Sequence, residues 1–108
     1  MTKIRKHHEI NAAAKLIADW RSMMVVHVVY ERGPLRYSDI AESLELSPTV
    51  LSGKLAQLTQ RGIIVRKQEP GAKEVIYETR TCAKNMVQAY HLLEDVNDCL
   101  LQKKDCDT

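Results

Sequence analysis

Few residues in this chain have the types and spacing that chemistry requires. Cys82, Cys99 and Cys106 are an odd number of thiols with no short framework spacing. That pattern suits free thiols in a reducing compartment rather than a disulfide scaffold. A redox-active thiol needs cations beside it, and Asp95 and Asp98 near Cys99 act in the opposite sense. The pair His7-His8 has no cysteine or carboxylate spacing to complete a metal set. His27 lies in an apolar segment and reads as a core or interface histidine. No nucleophile–base constellation or phosphate-cradling glycine loop is visible, so neither catalysis nor a metal or cofactor is expected. The chemistry left is recognition.

Its best candidate is SPTVLSGKLAQLTQRG, Ser47 to Gly62. Leu51, Leu55 and Leu58 fall in helical register, while the other side carries Thr49, Ser52, Gly53, Ala56 and Gln57. A glycine inside a helix costs about 1 kcal/mol relative to alanine. A helix that enters the major groove gains from it: small side chains admit the backbone to base edges, and hydroxyls and amides both donate and accept. The first turn, Ser47 to Val50, also offers N–H groups suited to a phosphate.

The elements that must position this helix can be read around it. From Asn11, AAAKLIADWRSMMVVHVVYERG predicts one largely buried helix ended by Gly33-Pro34. Trp20 reads as its core anchor, with dimer contact second; Met23 and Met24 read as gap-fillers. Ser38 is the predicted N-cap of a second helix, with Asp39 and Glu42 in its first turn. Ser47 and Pro48 are an N-cap and first helical residue, and Gly62 is a C-terminal stop. After Gly62 the period changes. IIVRKQ, EPGAK and EVIYET predict strand, turn and strand. A final helix capped by Thr79 or Thr81 carries Met86, Ala89, Tyr90, Leu93, Val96 and Leu100 in a stripe near heptad spacing. That stripe is more apolar than a monomer requires, which predicts pairing with a second copy.

Length and charge set the bounds. A chain of 108 residues suits one domain, divided here into a basic arm (1–10), a folded domain (11–102) and a polar tail (103–108). The net charge is only +2, but its distribution is uneven. Met1 to Arg36 holds seven Lys/Arg against three Asp/Glu, Ser47 to Arg80 six against three, and Thr81 to Thr108 three against five. Basic surface is therefore expected away from the C-terminus. The first residues are charged rather than apolar, and the longest apolar run is too short to cross a bilayer, so a cytoplasmic protein without membrane association is expected. The expected fold class is mainly α with a small β-hairpin wing (α+β), a winged helix-turn-helix.

The stretches GPLRYSDIAESL, SPTVLSGKLAQLTQRGIIVR and VIY resemble the HxlR-type branch of bacterial winged-helix transcription regulators, related in fold to MarR-type proteins. Trp20, Gly33, Pro34, Arg36, Tyr37, Ser38, Asp39 and Ile40 match the first part of the pattern. Ser47, Leu51, Ser52, Lys54, Leu55, Leu58 and Gly62 match the second. The resemblance implies a homodimer on a palindromic operator of double-stranded DNA. Ser47, Thr49, Val50, Ser52, Gly53, Lys54 and Gln57 would face the groove or its phosphates. Arg36, Tyr37 and Ser38 would lie near the DNA backbone, and Lys67 and Lys73 would be wing contacts. The outer helices, with Leu16, Trp20, Met86, Tyr90, Leu93, Val96 and Leu100, would form the dimer interface.

Two departures from the pattern matter. Thr49 stands where many relatives carry Lys or Arg, and no cysteine precedes the first long helix. The thiol-sensing mechanism of some members therefore does not carry over. Two rival readings remain: a winged helix used only to bind protein, and a regulator switched by a thiol or a small-molecule effector. An unchanged duplex affinity in Lys54→Glu would favour the first, and an oxidant response lost with all three cysteines the second.

Overall fold

A computed structural model describes residues 11–102. The arm, the tail, His7-His8 and Cys106 lie outside these residues. The elements run α1 (Asn11–Ala18), α2 (Trp20–Arg32), β1 (Leu35–Arg36), α3 (Tyr37–Ser43), α4 (Pro48–Gln60), β2 (Ile64–Lys67), β3 (Ile76–Thr79) and α5 (Ala83–Gln102).

The single first helix of the sequence reading is two. Asp19 leaves the helical conformation and caps α2, its carboxylate accepting from Arg21 N at 3.2 Å and from Ser22 Oγ at 2.9 Å. An aspartate oxygen competes well with the helix for backbone donors, and here the competition ends α1. α2 stops where expected, at Gly33, whose N–H bonds to Val29 O at 2.8 Å. A Cβ at Gly33 would meet that oxygen at 2.3 Å, so only glycine permits this stop.

The wing also gains a member. β1 pairs antiparallel with β3 (Leu35↔Tyr77, Arg36↔Ile76), giving a three-stranded sheet in the order β1-β3-β2 rather than a lone hairpin. Two residues are too few to show alternation in a sequence. β2 and β3 pair as Ile64↔Thr79 through Lys67↔Ile76.

The core joins Val25, Val26 and Val29 of α2, Ile40 of α3, Leu51, Leu55 and Leu58 of α4, Ile64 of β2, and Ala83, Met86 and Val87 of α5. These side chains make a core of aliphatic residues and methionine, without a buried aromatic ring among the described residues. Met86 belongs to it, 8% exposed, and is therefore a core residue rather than an interface one. Trp20 is the converse: it is 55% exposed with the Arg21 guanidinium over its ring, so it does not anchor the core. Cys82 lies in the turn before α5 instead of on the helix. Among the described residues no helix is long and apolar enough to cross a membrane.

Candidate nucleic-acid interface

α3 and α4 are joined by the short link 44–47, and each is started by local chemistry. Asp39, at the third position of α3, reaches back to the Arg36 N–H at 3.3 Å, half of a capping box. Arg36 is therefore the residue at the N-cap position, and Ser38, expected there, is an exposed first-turn residue. Ser47 caps α4 as predicted, its Oγ accepting from Val50 N at 3.2 Å, with Pro48 next. This consumes most of the first turn's anion-binding capacity. Val50 N–H is capped and Pro48 has none, so among the first three positions only Thr49 can offer an N–H to a phosphate. Gly62 ends the helix with φ +77°, a conformation that glycine adopts without strain.

Tyr37 sets the two helices against each other. Its hydroxyl donates to Pro48 O at 3.4 Å and accepts from Ser52 Oγ at 3.3 Å. Thr49, Ser52, Gly53, Ala56 and Gln60 then form an exposed stripe along α4. Nothing lies within 4 Å of a Cβ built on Gly53. Val50 and Gln57 flank this stripe and are half-buried.

Alternation in the wing decides which cations look at that stripe. Ile64 of β2 is buried in the core, and two residues on Arg66 shares its side of the strand. Arg66 lines an open groove with Tyr37, Ser52, Ala56, Thr59, Gln60 and Tyr77. Lys67 points to the other side and pairs with Glu78. Lys73 is exposed in the wing loop. Arg66 and Gln60 were missed in the sequence; the two-residue step from Ile64 and the four-residue step from Ala56 would have found them.

Two expected DNA-facing cations are engaged within the molecule. Arg36 bridges Asp39 (Nε to Oδ2, 3.2 Å) and Glu74 (NH1 to Oε2, 2.8 Å). Its hydrogen bonds to Asp39, then to Glu74, raise its already high pKa, and those from Arg36 hold Asp39 below the ordinary carboxylate value. The pair fixes the wing loop to the start of α3. Lys54 ion-pairs with Asp19 Oδ2 at 2.5 Å, both side chains 25% exposed. It is a brace between the recognition-helix candidate and the head of α2 rather than a free groove cation. Burial, the largest single influence, raises the Asp19 carboxyl, but hydrogen bonds from Lys54 and Ser22 and the Lys54 charge together hold it below its usual value.

The outer surface has the opposite character. Beyond Val87, α5 exposes Leu92, Leu93, Val96, Leu100 and Leu101. Trp20, Met24, Tyr90 and Leu93 line one shallow groove, so the apolar surface continues from α2 to α5. Leu16 and Tyr90 are half-buried against the core at its margin.

The fold of a helix-turn-helix followed by a wing is shared with known proteins. The model of the MarR family matches residues 19–73, from the α2 cap to the wing loop. The chain belongs to the MarR family. Its fold is that of MarR-like winged-helix transcription regulators, a family of regulators rather than enzymes. The reduced form of the transcriptional regulator YodB from B. subtilis is similar at 21% identity and TM-score 0.77, over 94% of this chain and 100% of that one. The PcaV regulator from Streptomyces coelicolor is similar at 12% identity and TM-score 0.69, over 99% of this chain and 88% of that one. A variant of S. aureus MepR bound to an oligodeoxyribonucleotide is similar at 18% identity and TM-score 0.62, over 93% of this chain and 78% of that one. A sequence comparison with curated proteins finds no match. The MarR family match ends before α5.

Proposed function

We propose that this MarR-family protein is a cytoplasmic, sequence-specific regulator that binds a palindromic operator as a homodimer, of the HxlR-type branch suggested by its motif residues. Segment 47–61 would lie in the major groove, and wing segment 63–79 on the flanking backbone or minor groove. The observation that carries the reading is the open face of α4. Thr49, Ser52, Gly53, Ala56 and Gln60 are exposed, Gly53 has no neighbour to accommodate, and Arg66 adjoins them across the groove. A face used only to bind protein would have no need of so low a profile beside a cation. The oligodeoxyribonucleotide-bound MepR variant of the same fold supports DNA as the partner.

Dimerisation rests on the exposed row Leu93, Val96 and Leu100 with Trp20 beside it. A two-fold dimer reads half-sites about one helical turn, roughly 34–36 Å, apart. Selection from random duplexes followed by footprinting tests the reading. A palindromic protected site is expected. Recovery of no preferred duplex sequence would overturn it.

A further inference from the structure

We propose that His27, Glu31 and His91 form a binding site for a divalent transition-metal ion of the zinc class, which clamps α5 onto α2. The ligand atoms of these three side chains lie within 4.8 Å of one another. His27 and Glu31 are one turn apart on α2, with His27 Nε2 3.7 Å from Glu31 Oε1. His91 comes from α5, its ring 5.4 Å from that of His27 at 83°. A tetrahedral ion with bonds of about 2.0–2.1 Å holds its ligand atoms about 3.3 Å apart. Side-chain rotation alone can close the remaining gap, because α2 and α5 are already packed together through Val26, Val29, Met86 and Val87.

Both rings are oriented before an ion arrives. His27 stacks on Tyr90 at 4.5 Å, with the planes 21° apart. His91 Nδ1 lies 2.8 Å from Glu94 Oε1, and an ionised carboxylate can only accept, so in the neutral imidazole the proton sits on Nδ1 and Nε2 keeps its lone pair. A carboxylate behind a metal-ligating imidazole has this role in known sites. The local charge also favours a cation. Glu31, Glu94 and Asp95 lie within a turn of the histidines, and Arg32, the neighbouring base on α2, is turned to Ser43 Oγ. The donor set is two imidazoles and a carboxylate without thiolate, which suits Zn²⁺ and its Co²⁺ substitute over Mg²⁺ or Ca²⁺. A fourth position remains for water. All three side chains are partly exposed, so an ion can enter from solvent.

The test titrates the full chain with Zn²⁺ by calorimetry and with Co²⁺ by visible absorption, beside thermal melts. The expected result is one ion per chain, a Co²⁺ spectrum without a thiolate charge-transfer band, and a melting temperature raised by metal. H7Q/H8Q and C82S/C99S/C106S should bind as the parent does. H91Q, at an exposed position that leaves the core intact, should lose at least about tenfold in affinity together with the metal-induced shift. H27Q and E31Q should do the same. E94Q should weaken binding about 10- to 100-fold, as expected of a ligand-orienting partner. The proposal is overturned by no binding at all, by binding that follows His7-His8 or the thiols, or by H91Q that binds as tightly as the parent.

Discussion

The α4–wing surface and the α2–α5 surface are built by opposite rules. On the first, four polar side chains are engaged within the molecule: Ser47 holds Val50 N, Tyr37 holds Ser52, Arg36 holds Glu74, Lys54 holds Asp19. What remains open is a narrow stripe from Thr49 to Gln60 with Arg66 beside it. On the second, α5 buries Ala83, Met86 and Val87, and its distal turns expose leucines and a valine. A braced polar face suits a partner of fixed shape, such as duplex DNA. An unbraced apolar face suits a surface that becomes buried on assembly.

The sharpest way to break this contrast is to charge the second surface. Leu93 and Val96 are 47% and 49% exposed, so L93E/V96E should leave the protomer folded while repelling a second copy. Light scattering should report monomer and circular dichroism an unchanged helix content. Affinity for a two-half-site duplex should fall at least about a hundredfold, because the second half-site is no longer bound intramolecularly. A variant that stays dimeric would show that the exposed row is not the interface.

Next in size is a comparison inside the wing. Arg66→Ala should weaken duplex binding about tenfold and lower the salt dependence by about one phosphate contact, while Lys67→Ala changes little. The two residues are adjacent in sequence, but strand alternation turns Lys67 to Glu78 and Arg66 to the groove. Equal effects would remove the structural distinction drawn between them.

That pair also illustrates what the sequence makes legible. Local rules carried the helix-turn-helix: Ser47-Pro48 and Gly62 bound α4 because caps and stops act within a few residues, and the change of period after Gly62 announced the wing. Long-range pairing was not readable. Asp19 sits inside an apolar helical pattern, and its pairing with Lys54, 35 residues away, has no signal in the sequence. Lys54 matched a DNA-binding motif position by type, but its charge is committed to Asp19. Lys54→Glu would set two carboxylates together at this brace and test stability before it tested DNA binding. Met86 and Trp20 shared a helical periodicity with core and surface alike, and only the packing separates them. His27 and Glu31 were in register, yet nothing in the sequence brings His91 to them.

The brace itself gives a smaller, pH-dependent effect. Asp19→Asn keeps a capping oxygen but loses the charge facing Lys54, so the fold should lose about 1 kcal/mol at neutral pH, a melting shift of about 4–8 °C. The Asp19 pKa is lower in the folded state than the ordinary value near 3.9. Its stabilisation is therefore complete above that value and is lost as pH falls through the folded-state pKa. Parent and variant should converge in acid. A difference that persists unchanged at low pH would mean the effect comes from packing rather than from the ion pair.

The finest test separates shape from stability on α4. Nothing occupies the space around Gly53, so Gly53→Ala meets no clash and should stabilise the helix by up to about 1 kcal/mol. If the glycine is there to let a backbone approach, the same methyl should reduce duplex affinity while the melting temperature rises. Opposite signs in the two measurements are the signature of a residue kept for its partner. A rise in both would mean that Gly53 is an ordinary tolerated glycine, and the recognition surface would then centre on Ser52, Gln60 and Arg66.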